Sequence, residues 1–330
     1  MQKMLVIMLH LSRNVSRREL EKNPAPLAFD DAVWERALHL AAKNGFNTVL
    51  LDVGNAIHYS SHPEISVPDA WSHARVREEV ARCKAMGLTL LPLLNFAANH
   101  DHWLGEYGDM LTTETYRRVA DDLIHELYEL FDHPAYFHIG MDEENEINLK
   151  KDLRPGRLYW EDFRSLINSV KSTGAKPWIW ADPLFEKPLM YATNIAPEEC
   201  ILSPWYYHAY KPEHYTPTDS APEYVEYYGR EQFAKLNLKY VEEDPLHSTT
   251  RCLALPLMQK GYCYVPCASV HNRCIYNSEE LVEHFLSGAP EDQLVGFMTA
   301  PWCSTQEKNW KKIEDSILLM HQAATKHGIL

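Results

Sequence analysis

Tyr136-Phe137-His138-Ile139-Gly140-Met141-Asp142-Glu143-Glu144 runs a short apolar strand directly into consecutive carboxylates. Strand geometry puts His138, Gly140 and Asp142 on one face, and Glu143 reaches the same space only where the backbone turns out of the strand. The missing side chain at Gly140 leaves room beside them. Like charges on neighbouring side chains oppose one another's ionisation, so a partly buried member of the cluster is a candidate to hold a proton near neutral pH, as a general acid must. Taken alone, the stretch also reads as a solvated loop, or as the N-cap and first turn of a helix.

Working outward, the same apolar-strand pattern recurs at Leu5 to Leu9, Thr48 to Val53, Leu88 to Leu94, Pro177 to Ala181, Cys200 to Pro204, Tyr262 to Pro266 and Leu294 to Thr299. Most runs are continuously apolar instead of alternating, as parallel strands buried on both faces are. Amphipathic segments separate them, at Asp31 to Lys43, His73 to Met86, Thr113 to Phe131, Trp160 to Ser172, Ser278 to Leu286 and Lys308 to His327, with Gly45, Gly87 and Gly174 at helix ends. Strand-then-helix units without a linker predict an α/β fold, a single (β/α)8 TIM barrel over residues 1–330. A doubly wound open sheet is the alternative, weakened because no Gly-rich dinucleotide fingerprint follows the first strand. Two aperiodic stretches rich in Pro, His, Tyr or acidic residues, near 206–222 and 242–249, are expected as rim loops.

A chain of 330 residues with 45% hydrophobic content can bury a large core. Its net charge is -14 and its Lys and Arg residues are scattered, which argues against nucleic acid as a partner. The 7 cysteines include no pair at metal or redox spacing, the closest being Cys263 and Cys267, so reduced and mostly buried thiols are expected. The apolar start, Met1 to His10, runs into Ser12-Arg13-Asn14 without a small-residue cleavage site. It reads as a first strand, with the cytoplasm as the expected location. No run approaches the roughly 20 apolar residues of a membrane span, so no membrane partner is expected, and no cofactor motif is present.

In a barrel, the residues just beyond each strand converge on one mouth. Here they include His10 and Arg13 after the first strand, Asn95, Asn99 and His100 after the third, and Asp142 and Glu143 after the fourth. Trp180 and Asp182 follow the fifth, Trp205, Tyr206 and Tyr207 the sixth, His271 the seventh and Trp302 the eighth. Aromatic faces interleaved with amides and carboxylates suit a carbohydrate, because rings pack on the C–H faces of pyranoses while polar groups bind the hydroxyls. A rival reading assembles His100, Asp101 and His102 with Asp142 and Glu143 into a divalent-metal site, although the His-x-His pair lies in loop-like sequence.

His138-Ile139-Gly140-Met141-Asp142-Glu143 resembles the fourth-strand motif, His-x-Gly-Gly/Ala-Asp-Glu, of the family 20 glycoside hydrolases, the β-N-acetylhexosaminidase group. Pro92-Leu93-Leu94-Asn95-Phe96 with His100 resembles the family's third-strand segment, and Gly296 to Trp302 its closing strand. The resemblance implies substrate-assisted, retaining hydrolysis, with the substrate's 2-acetamido oxygen as nucleophile. By motif position, Glu143 would be the general acid/base, Asp142 would orient and polarise the acetamide, and His138 would support the pair through hydrogen bonds. Arg13, Asn95, His100, Trp180, Trp205, Tyr206, Tyr207 and Trp302 would bind the sugar, with no metal or cofactor. The sequence departs from the family at Leu5 and Val6, where an Arg-Gly start is usual, at Leu93 and Asn95, and at Met141, which would narrow the pocket floor. Three readings follow: a hydrolase of a terminal 2-acetamido sugar, an inactive sugar-binding protein on the same barrel, and a metal-dependent hydrolase or isomerase.

Overall fold

The computed structural model describes residues 3–13, 26–143, 156–214, 255 and 257–330. Glu144, Asn145 and the stretches 215–222 and 242–249 lie outside the described residues. Strands β1 (Met4–His10), β2 (Thr48–Asp52), β3 (Thr89–Leu93), β4 (Tyr136–His138), β5 (Lys176–Trp180), β6 (Ile201–Ser203), β7 (Cys263–Tyr264), β8 (Cys267–Ala268) and β9 (Gly296–Thr299) pair in parallel in the order β7-β6-β5-β4-β3-β2-β1-β9-β8. Each predicted run contains a strand, and the extra one, β8, lies just beyond the seventh run, which was expected to end at Pro266. Pro266 has no N–H to contribute to a ladder, so pairing is interrupted between β7 and β8. Val265 N–H and Cys267 N–H still donate to Leu202 O and Pro204 O on one side, while Pro266 O and Tyr264 O accept from Met298 and Val295 on the other. The segment 263–268 is therefore one barrel strand bonded on both edges. The fold is a (β/α)8 barrel.

Helices α1 (Asp31–Lys43), α2 (His73–Ala85), α3 (Glu114–Leu130), α4 (Gly156–Thr173), α5 (Asp182–Glu186), α6 (Pro188–Asn194), α7 (Asn277–Gly288) and α8 (Trp310–Lys326) cover the outside. Ser72 and Thr113 cap α2 and α3 by accepting the N–H of Arg75 and Tyr116. On α3, Tyr116, Val119, Ala120, Leu123, Leu127 and Leu130 form the buried stripe that the 3.6-residue period requires. Among the described residues, no helix is long and apolar enough to cross a membrane.

The continuous apolar character of the strands reflects two separate cores. Val6, Met8, Leu50, Leu91, Leu93 and Trp178 fill the barrel interior. Leu5, Ile7, Leu9, Val49, Leu51 and Phe137 face the helices instead. The parity of β1 decides what that strand offers the mouth: with Val6 and Met8 inward, the next inward position is His10. Leu5 is thus an outer-core residue and Val6 an inner-core one, each too deep to meet a ligand at the strand ends.

Candidate active site

Beyond the carboxyl ends of the strands lies a cavity of about 460 Å³, walled by Trp180, Trp205, Tyr207 and Trp302 and holding His100, Asp142 and Glu143. The carboxylates enter it through an unusual backbone. Gly140, Met141 and Glu143 all have positive φ, at 73°, 74° and 53°, and Trp302 across the cavity has 48°. Left-handed backbone in non-glycine residues costs energy and concentrates at functional sites. This turn lifts both Asp142 and Glu143 into the cavity and sends Met141 the other way. Met141 is fully buried in the core between strands and helices, so it does not narrow the pocket floor.

The room at Gly140 is not empty either, because the amide of Asn95 occupies it. A Cβ on Gly140 would fall 2.0 Å from Asn95 Oδ1. That oxygen accepts the N–H of Ala97 and Met141 at 3.1 and 3.3 Å, and Asn95 Nδ2 donates to Asp142 Oδ1 at 2.8 Å. Asn95 therefore stands behind Asp142 as a brace and is not part of the cavity wall. Burial pushes the Asp142 carboxyl above its usual range, against the opposing pull of His100 and the Asn95 amide. On the Glu143 side, the backbone N–H donates to Asp182 Oδ1 at 3.2 Å, and Trp205 Nε1 donates to Asp182 Oδ2 at 2.8 Å. Asp182 thus fixes the strained Glu143 backbone and a pocket tryptophan together.

His100 links the two acids, with Nε2 lying 3.6 Å from Asp142 Oδ2 and 3.3 Å from Glu143 Oε2. Burial alone would push its pKa down, but the charge of Asp142 and the hydrogen bond and charge of Glu143 outweigh that and hold it up at about 9. Hydrogen bonding from His100 in turn holds Glu143 below the ordinary carboxylate range. The free site therefore stores its proton on the imidazole, with Glu143 ionised. Because the folded-state pKa of His100 is raised, its contribution to stability is fully present below the unfolded value near 6.5 and is lost as pH rises through about 9. Denaturation between pH 6.5 and 9 is expected to show a decline from this group of at most about 3 kcal/mol. A His100→Gln protein should lose most of that slope, and an identical slope in both proteins would contradict the assignment.

His138 supports the turn indirectly. Its Nδ1 accepts the N–H of Gly140 at 3.0 Å, its ring packs at 4.9 to 5.2 Å from Trp180 and Trp178, and complete burial keeps it neutral. It bonds to the backbone of the turn and to neither carboxylate. Tyr206 turns away from the cavity as well. Extended backbone sends Trp205 and Tyr207 to one side, where they stack at 5.2 Å, and Tyr206 to the other, where it packs edge-on against Tyr210. Burial raises the Tyr207 phenol well above its usual range, which keeps it a protonated donor.

The cavity also receives His10 and His271, which the strand-end pattern brought to the mouth without assigning them a role, and Cys303 and Lys308, which it did not bring there. His10 was readable from the inward parity of β1. Its Nδ1 meets Asp52 Oδ2 at 2.8 Å, and its ring lies 5.7 Å from Trp302. Cys303 is no nucleophile at neutral pH, since burial pushes its thiol up to about 11. Of the metal alternative, His102 is not among the groups lining the cavity. Among the described residues, the side chains that converge at metal-ligand spacing are Glu279, Glu283 and His327 on and beyond the outer helices α7 and α8.

No family model matches the sequence, and no curated protein matches it either. Among solved structures, a β-N-acetylhexosaminidase from Bacteroides fragilis superposes with a TM-score of 0.62 at 10% identity, covering 97% of this chain and 65% of that one. The chain shares the barrel fold of that structure. An N-acetyl-β-hexosaminidase from Streptomyces plicatus gives a TM-score of 0.58 at 13% identity over 95% of this chain and 62% of its own. Dispersin B gives 0.55 at 12% identity over 98% and 99%. The chain spans less than two thirds of the length of the first two relatives and nearly all of the third.

Proposed function

We propose that the chain is a retaining glycoside hydrolase that removes a terminal β-linked 2-acetamido sugar, with the substrate's own acetamide as nucleophile. The observation that carries this reading is the placement of Asp142 and Glu143 side by side in one cavity walled by Trp180, Trp205, Tyr207 and Trp302. The barrel fold shared with these solved structures supports it, and a variant of the Streptomyces plicatus enzyme is described in complex with the product GlcNAc. In this reading the sugar ring packs on the aromatic walls and its acetamide N–H donates to Asp142. The acetamide oxygen attacks the anomeric carbon while Glu143 protonates the departing oxygen, and a cyclic oxazolinium forms. Asp142, braced by Asn95, offsets the charge that develops on that ring. Water then opens the intermediate with Glu143 as base.

Glu143 must carry a proton when the bond breaks, yet in the free site it is ionised beside a charged His100. A sugar that fills the cavity and excludes water makes two adjacent charges costlier, so the proton moves from His100 Nε2 to Glu143 Oε2 over the 3.3 Å that separate them. The same ionised state favours a second reading, a sugar-binding protein without turnover. A thiazoline analogue of the cyclic intermediate separates the two. The hydrolase reading expects it to inhibit competitively and at least about 100-fold more tightly than the product sugar binds; equal affinity for analogue and product would support binding alone.

A further inference from the structure

We infer that Asn277 is a positioning residue of the pocket: its side-chain amide is inserted between two barrel strands and holds Tyr207 in the cavity wall. On the hydrolase reading, turnover then depends on a residue that never meets the sugar, since Asn277 is fully buried and does not line the cavity. The strand leading to Tyr207 explains how the amide comes to stand there. Carbonyls two residues apart share one edge of an extended chain, so every second carbonyl along β6 and beyond it faces the same neighbour. Leu202 O accepts the N–H of Val265, and Pro204 O accepts that of Cys267. Continued by two residues, the ladder would pair Tyr206 O with the N–H of Ser269. Instead Ser269 N–H donates to Asn277 Oδ1 at 2.9 Å, and Asn277 Nδ2 donates to Tyr206 O at 2.7 Å and to His208 O at 2.8 Å.

One carboxamide therefore carries the ladder across a gap that is one side chain wide. Both of its N–H groups are used and its oxygen faces a donor, so the reversed amide would set oxygen against two carbonyls and is excluded. The two accepting carbonyls flank Tyr207. The extended backbone they hold sends Tyr207 to the same side as Trp205, into the cavity. Across the gap, Ser269 Oγ donates to Ala300 O at 2.6 Å and accepts the N–H of His271 at 2.9 Å. Asn277 and Ser269 thus join the segments that carry Tyr207, His271 and Trp302. Both are 0% exposed, and a buried polar network whose groups are satisfied fixes a single arrangement. Without the amide, the strands either close on each other or leave two buried carbonyls unpaired, and each outcome moves Tyr207.

The test is a double-mutant cycle between Asn277 and Tyr207, read as kcat/KM on 4-nitrophenyl N-acetyl-β-glucosaminide, with each variant confirmed as folded by circular dichroism. Asn277→Asp keeps the size and the acceptor but turns an oxygen toward two carbonyls, and Asn277→Ala removes the amide without burying a charge. Each is expected to lower kcat/KM about 10- to 100-fold beside the native Tyr207, and no more than about 3-fold once Tyr207→Ala has removed the side chain being positioned. Glu280, one turn along α7, supplies the control, because it accepts the N–H of Tyr210 and Lys211 at 2.5 and 3.0 Å and so ties down the same loop beyond the wall. A Glu280→Gln protein should unfold at lower temperature yet keep kcat/KM within about 3-fold of the parent. Equal losses with and without the Tyr207 side chain, or a loss from Glu280→Gln as large as that from Asn277→Ala, would overturn the inference while leaving the hydrolase reading intact. Calorimetry with N-acetylglucosamine runs the same cycle for a protein without turnover. Coupling between Asn277 and Tyr207 there upholds the positioning role and removes the hydrolase reading, and additive effects with no turnover remove both.

Discussion

A Glu143→Gln protein is expected to lose about 10²- to 10⁴-fold in kcat on an aryl β-N-acetylglucosaminide while its affinity for the product sugar stays within a few-fold of the parent. The amide preserves the shape of the side chain and its place beside Asn99 and His100, so binding survives. What it cannot do is deliver a proton to the leaving oxygen. The substitution also removes the negative charge that holds His100 up at about 9, so the imidazole should titrate at lower pH in the variant. An NMR titration of His100 run beside the kinetics gives an internal control. A downward shift with parent-like turnover would leave the geometry correct and the role of Glu143 wrong.

Gly140→Ala is expected to abolish activity by displacing the brace behind Asp142, although residue 140 itself never meets the sugar. The new Cβ would lie 2.0 Å from Asn95 Oδ1 and 2.7 Å from Asn95 Cα, a backbone atom that cannot swing aside. The φ of 73° adds about 1 to 2 kcal/mol of left-handed strain. Either the Asn95 amide leaves, breaking its bond to Asp142, or the turn flattens and withdraws both carboxylates. Thermal unfolding should shift down, and activity should fall more than 100-fold at a temperature where the variant is still folded. Parent-like kinetics in folded Gly140→Ala would mean that the turn is not what positions the acids.

Reading the chain alone located the barrel well because parallel strands between helices must be apolar on both faces, and each of the apolar runs contains a strand. The division of β7 from β8 was also in the sequence, as Pro266, but a proline in a short run reads equally as its end. Asp142 and Glu143 were visible as a carboxylate pair after a strand. Their surroundings were less legible, because side-chain direction at a strand end depends on φ. The positive φ at Met141 turns that residue outward, and space inferred at Gly140 belongs to a residue from another strand. Tyr206 could have been separated from Tyr207 by the period-2 rule, the same rule by which parity with Val6 and Met8 supports the placement of His10 at the mouth. Cys303 lies in irregular backbone beyond β9 and Lys308 in a single 3-10 turn, Glu307–Asn309, both too short in regular structure for periodicity to reveal which side chains turn toward a cavity.

In the proposed reaction the cavity cleaves a 2-acetamido sugar with that sugar's own acetamide as nucleophile. Its most direct test is the rate on a nitrophenyl 2-acetamido-2-deoxy-β-glycoside against the matching 2-hydroxy glycoside. Hydrolysis of the acetamido compound is expected to be at least about 100-fold faster, because the 2-hydroxyl cannot supply the intramolecular nucleophile. Equal rates on the two, or turnover of the 2-hydroxy glycoside alone, would contradict it.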